Sequence, residues 1–260
     1  MNNSDEATVY GIANQKGGVG KSTTCLALGA ALVEKEKSVL LIDLDPQAGL
    51  TISLGLDPDS FEETVYDAFM GNMSVNEVAI STDIEGLELV PSNLDLSGAT
   101  VELVQKGNDW QKTLKTVLAQ DGVLDQYDYV LMDCPPSLGA LTINVLAASD
   151  AVVVPVQLEY LALTGLKQLN KIVDRVKNNF NPGLDIRILR TMHDRRTRHT
   201  EEAIDELEDV FGGRVYDTVI PRTIKFADST LAGKPITTYA PNSEASKLYH
   251  QLAEEVINGG

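Results

Sequence analysis

Apolar residues in this chain fall into short runs of strand length separated by longer segments of helical period, and the alternation is regular. Val9–Ala13, Ser38–Asp43, Glu88–Pro91, Tyr127–Asp133, Ala151–Val156, Asp185–Met192 and Val215–Ile220 read as strands. Two of these, SVLLID and AVVVPV, are apolar at consecutive rather than alternate positions, as parallel strands covered on both faces must be. Between them, Cys25–Leu32, Thr100–Leu118 around Trp110, Leu141–Ala148 and Leu163–Asn178 read as helices, and further helices are expected after the last two strands. The pattern predicts an α/β fold: a doubly wound, mostly parallel sheet with helices on both faces and a ligand site at the carboxyl ends of its strands. No linker, repeat or low-complexity segment interrupts it, so residues 1–260 are expected to form a single domain.

Composition changes this picture little. With 43% hydrophobic residues the chain supports one sizeable core. The polar segment Met1–Glu6 and the short apolar runs lead to the expectation of a cytoplasmic protein with no membrane partner. Cys25 and Cys134 both sit inside apolar elements, which fits buried thiols in a reducing compartment. Charge is more informative. The net charge of −17 argues against nucleic acid, yet residues 1–150 carry 23 acids against 7 bases while residues 151–260 carry 15 against 14. All eight arginines lie in the second half, and Lys167–Arg198 is net +6, so a local basic surface is possible on an acidic molecule. The remaining acidity is read as solubility rather than as a partner signal.

The candidate chemistry centres on Asn14–Thr24, NQKGGVGKSTT, placed between a strand and a helix. Glycines at 17, 18 and 20 allow consecutive N–H groups to converge on an anion. Lys21 adds a point charge, Ser22 a hydroxyl suited to a phosphate-bound Mg²⁺, and the following helix its positive end. The general pattern G-x-x-x-x-G-K-[ST] is not met strictly, because Gln15 stands at its first glycine and is followed by a second lysine, Lys16. Two lysines five apart cannot easily serve one phosphate group from a tight loop, so a role for one of them across an interface is expected. Acids close two of the strands: Asp133 ends VLMD, and Asp43 and Asp45, two apart, are expected to point the same way on extended backbone. Phosphoryl transfer needs such groups to hold Mg²⁺ and to orient water.

These segments, with LLIDLDPQ at 40–47, DYVLMDCPPS at 128–137, VVVPVQLEYLALTGL at 152–166, TMHDRRT at 191–197 and VIPR at 219–222, resemble the ParA/MinD family of deviant Walker A ATPases, and within it the Soj-type partition proteins. The resemblance covers nearly the whole chain. It implies ATP and Mg²⁺ as cofactors, a nucleotide cradle of Lys16, Gly17, Gly18, Val19, Gly20, Lys21, Ser22 and Thr23, and Pro221 and Thr223 bordering the adenine. Lys16 would reach the partner subunit's phosphates in an ATP-sandwiched homodimer, Lys21 would bind phosphates in its own subunit, and Asp45 would position the hydrolytic water. Ser22, Asp45 and Asp133 would form the metal set. His193 stands where the family often has an aromatic and is read as a loop residue rather than a catalyst.

Four functions fit that resemblance. The first is a nucleoid-associated partition ATPase that binds double-stranded DNA without sequence preference through Arg195, Arg196 and Arg198, with Lys225 and Lys234 in support, and is stimulated by a ParB-like partner. The second is the same engine positioning a protein cargo, from which the sequence does not separate the first. A MinD-like membrane regulator needs a basic amphipathic tail, whereas NSEASKLYHQLAEEVINGG carries three acids and one lysine. An iron–sulfur carrier needs a C-x-x-C or bridging cysteines, which the chain lacks.

Overall fold

The computed structural model describes residues 6–105, 107, 109–157, 162–193, 207 and 209–259. Eight strands form one sheet: β1 Thr8–Ile12, β2 Val39–Asp43, β3 Ile80–Ser81, β4 Leu87–Val90, β5 Tyr129–Asp133, β6 Ala151–Gln157, β7 Asp185–His193 and β8 Val215–Pro221, in the order β3-β4-β2-β5-β1-β6-β7-β8. All neighbouring pairs are parallel except β3 with β4. The continuous apolar runs are explained by burial on both faces. In β2, Leu40 and Ile42 enter one core layer while Val39 and Leu41 enter the other. The two-residue β3 is too short to carry a period and is not predicted.

The helices whose bounds fall among the described residues are α1 Lys21–Val33, α2 Gly49–Ser53, α3 Val65–Met70, α4 Val75–Val78, α5 Leu96–Gln105, α6 Thr113–Leu118, α7 Val123–Gln126, α8 Ala140–Ala148, α9 Ala162–Asn179, α10 Lys225–Leu231, α11 Ile236–Tyr239 and α12 Glu244–Ile257. Residues of α3, α5, α6, α8 and α9 cover one face of the sheet, and residues of α1 and α12 the other. The single helix expected over Thr100–Leu118 is broken: α5 stops at Gln105, Gly107 takes φ +107°, and a 3₁₀ turn at Trp110–Lys112 leads into α6. Helical period continues across the break, but a glycine in the left-handed region cannot continue the helix.

α1 is buried almost all round because it lies between the sheet and α12. Its small residues permit this: a Cβ on Gly29 would come within 2.9 Å of Leu41 Cδ2. α12 holds α1 near its start through Thr24 Oγ1 and Tyr249 Oη at 3.1 Å, and the residues just past its end through His250 with Glu34 at 3.3 Å and Glu254 with Lys35 at 2.7 Å. The apolar face of α12, including Tyr249, Leu252 and Val256, is therefore spent inside the molecule. Glu255 turns the other way and accepts hydrogen bonds from the Asp217 and Thr218 N–H groups at 2.8 and 3.0 Å, blunting the outer edge of β8. Among the described residues no helix is long and apolar enough to cross a membrane.

At the end of α2, Gly55 meets Gly233, which follows α10, so closely that a Cβ on Gly233 would lie 2.7 Å from Gly55 Cα, and Gly233 has φ +63°. Backbone cannot yield as a side-chain tip can. Gly233→Ala is expected to lower unfolding free energy by about 1–3 kcal/mol in a urea titration. Gly213→Ala, where the space is open, should stay within about 0.5 kcal/mol of the parent.

Candidate functional site

The loop Ala13–Gly20 joins β1 to α1 and is shaped by two residues in the left-handed region, Gly18 at φ +71° and Gly20 at φ +92°. Gly20 is the N-cap of the thirteen-residue α1 and supplies no side-chain cap, so the first-turn N–H groups are left for an external acceptor. The loop is tied down from its flanks. Asn14 donates to the Pro155 carbonyl at 2.7 Å and accepts from the Lys16 N–H at 3.0 Å, Gln15 donates to Gln168 at 3.0 Å, and Thr191 Oγ1 donates to the Val19 carbonyl at 2.9 Å. The two lysines occupy different environments. Lys21 is buried, whereas Lys16 stands on the exposed outer side of the loop.

Asp133 ends β5 beside the last residue of β2, Asp43, with which it is in register. Both are fully buried. Asp43 is well satisfied: Oδ1 accepts from the Asp45 N–H at 3.1 Å, and Oδ2 accepts from the Thr51 N–H at 2.9 Å and from Thr51 Oγ1 at 2.8 Å. Even so, burial pushes its carboxyl up to about 6. Asp133 has neither oxygen hydrogen-bonded. Burial and the neighbouring Asp43 drive its carboxyl well above the usual range, opposed by the nearby Ser22 hydroxyl and Lys21 ammonium.

The expectation that Asp43 and Asp45 point the same way is not met. β2 stops at Asp43, and Asp45 lies in the turn that follows, half-buried, with Oδ1 accepting from the Gln47 N–H at 2.9 Å. Asp43 looks inward toward α2 instead. Ser22 faces that same turn, since a Cβ on Gly49 would lie 3.1 Å from Ser22 Oγ.

The residues fit the implied cofactors. The buried Asp133 carboxylate, beside the Ser22 hydroxyl and an uncapped helix N-terminus, fits a cation that a phosphate group brings with it. Among the described residues no three acidic, histidine or cysteine side chains are grouped to hold a metal alone. A cleft of about 510 Å³ adjoins the loop, lined by Gly18, Val19, Gly20 and Thr23 on one side and by Ile220, Pro221, Arg222, Thr223, Phe226 and Tyr249 on the other. Pro221 and Thr223 thus share a cavity with the loop. Thr191 and Met192, in the TMHDRRT segment, and Arg222, between Pro221 and Thr223, line it too, as does Phe226, which no sequence signal singled out. Met192, at φ +51°, lies within β7, and its strained backbone is not signalled by its residue type.

The remaining sequence candidates are more scattered. Lys225 opens α10 and Lys234 follows it, both exposed. Arg195, Arg196 and Arg198 lie outside the described residues, as does the side chain of His193. Cys25 and Cys134 are free and buried, and their thiols are pushed up by burial and by Asp133. Cys134 also contributes to the shift at Cys25, so it is less isolated than its place in the sequence suggests.

A glycine-formed loop between a central parallel strand and a buried helix, with an acid at the end of the neighbouring strand, defines a P-loop nucleotide-binding protein. Comparison with known proteins narrows the class. The AAA domain family matches residues 7–186. The sporulation initiation inhibitor protein Soj of Bacillus subtilis (strain 168) is 43% identical over 253 residues, covering 97% of this chain and 99% of its own. The chromosome partitioning protein ParA of Caulobacter vibrioides (strain NA1000 / CB15N) is 42% identical over 251 residues, covering 96% and 94%. The crystal structure of cobyrinic acid a,c-diamide synthase from Mycobacterium smegmatis with bound ADP and magnesium matches with a TM-score of 0.83 at 37% identity, over 97% of this chain and 94% of that one. The chain belongs to the Soj/ParA family and is an ATPase.

Asp133 supplies a test of the cation site. An acid whose folded pKa is raised binds more protons folded than unfolded, so its contribution to stability falls as pH rises from the unfolded pKa through the folded one. Nucleotide-free Asp133→Asn is therefore expected to be more stable than the parent at pH 7–8, by about 1–3 kcal/mol in urea unfolding. The gain should shrink toward pH 4, and the further stabilisation that Mg²⁺ with ATP gives the parent should be lost.

Proposed function

We propose that this protein is a DNA-partition ATPase. It forms a homodimer around ATP, holds double-stranded DNA without sequence preference in that state, and releases it when a ParB-like partner stimulates hydrolysis. The observation that carries the reading is the separation of the two loop lysines. Lys21 is buried toward Asp133 in its own subunit, while Lys16 is exposed on the loop, where a second subunit's phosphates would be able to reach it. Charge supplied across an interface makes nucleotide state and association state one equilibrium.

ATP and Mg²⁺ are the cofactors; bound Mg²⁺ neutralises charge on the phosphate oxygens. The chain's own residues divide the remaining work. Gly17, Gly18, Val19, Gly20, Lys21, Ser22 and Thr23 bind phosphates, Ser22 and Asp133 hold the ion, Asp45 orients the attacking water at the edge of that site, and Pro221 and Thr223 border the base. The DNA surface is assigned to Arg195, Arg196 and Arg198 with Lys225 and Lys234, and dimerisation doubles it on one face. A cytoplasmic, nucleoid-associated location belongs to the same proposal. A membrane-bound alternative is not favoured, because α12 spends its apolar face on α1 and the sheet.

ATP, but not ADP, is expected to convert monomer to dimer in light scattering, and Lys16→Ala to abolish the conversion while nucleotide binding survives; a Lys16 variant that dimerises normally would remove the trans role. DNA binding is expected to require ATP in a mobility-shift titration and to weaken steeply with salt, each phosphate contact adding about 0.9 to the log–log slope. Replacing Arg195 and Arg196 with Glu should eliminate it without affecting dimerisation, and salt-independent binding would exclude this surface.

A further inference from the structure

The turn that carries Asp45 is held at both ends by one buried side chain, and that side chain is fixed in turn by a hydroxyl outside the recognised motifs. Asp43 accepts the Asp45 N–H at the start of the turn and the Thr51 N–H and Oγ1 at its end. Thr51 lies on α2, fully buried, and its Oγ1 also accepts the Ser92 N–H at 3.2 Å from the segment leaving β4. A hydroxyl gives its single proton to one partner and offers lone pairs to another, so threonine or serine can make both contacts and valine neither. Between these anchors the turn closes on itself, with Ala48 N–H donating to the Asp45 carbonyl at 2.8 Å and Ala48 at φ +53°. Gly49 then brings it against Ser22.

We propose that Thr51 is a positioning residue for ATP hydrolysis: by donating to Asp43 and accepting from Ser92, it fixes the Asp45 turn in the orientation the reaction needs. The inference rests on the reading of Asp45 as the group that orients water. Thr51 does not line the cleft, and its hydroxyl is hydrogen-bonded to Asp43 and Ser92, so its effect passes through Asp43. Misplacing a reacting group by about 1 Å can cost on the order of a hundredfold in rate. Losing Thr51 should therefore slow turnover while leaving nucleotide affinity nearly intact.

Single-turnover ATP hydrolysis and nucleotide affinity can be measured for the parent, Thr51→Val, Thr51→Ser, Asp45→Ala and the Thr51→Val/Asp45→Ala double variant, with thermal midpoints recorded on the same samples. Thr51→Val is expected to lower the rate about ten- to a hundredfold, with ATP affinity within about twofold of the parent, and Thr51→Ser to recover most of the rate. In the Asp45→Ala background, Thr51→Val should cost nothing more, since both changes remove one function. Thr51→Ala provides a second variant without the hydroxyl if the valine protein folds poorly, and it should show the same loss confined to rate. Asp45→Ala hydrolysing at the parent rate would overturn the reading of Asp45 itself. A slow Asp45→Ala beside a normal Thr51→Val would overturn the positioning role alone. Equal losses of rate and affinity that serine does not rescue would likewise reduce Thr51 to a structural residue.

Discussion

Two carboxylates at neighbouring strand ends share an interior from which water is excluded, and the site is arranged around how each is accommodated. An ionised carboxylate in such a place costs several kcal/mol unless hydrogen bonds or opposite charge meet it. Asp43 is met by three donors from its own turn and α2, which converts an electrostatic liability into a clamp on backbone geometry. Asp133, one strand away, receives no hydrogen bond. Lys21 and Ser22 of α1 are the groups brought near it. The same fold thus satisfies one buried acid with hydrogen bonds and leaves its neighbour facing a lysine and a serine hydroxyl.

Much of this was legible in the residues, because the strongest signals are local. Short apolar runs bounded by turn and charged residues read as strands covered twice, and the glycine spacing in the loop reflects backbone angles that the structure shows at Gly18 and Gly20. Asp133 stood out as an acid closing the apolar run VLMD, and the structure buries it fully at the end of β5. The distinction between Asp43 and Asp45 was not legible, since the two-residue period of a strand holds only while the strand lasts and β2 stops at Asp43. The far wall of the cleft illustrates a different limit. Thr191, Met192, Arg222 and Phe226 meet the loop only through the order of the sheet, which places β7 and β8 beyond β6. Pro221 and Thr223 were reached through family resemblance, not through any pattern of their own.

The grip of α12 on α1 has an entropic consequence. The helix whose N-terminus would receive the phosphates is held near its start by Tyr249 and just past its end by His250 and Glu254, and the loop before it is tied to β6, β7 and α9. Most of the conformational freedom that a ligand would otherwise have to freeze in this cradle has already been surrendered during folding. Contact energy at the phosphates would then be realised as affinity with little discount.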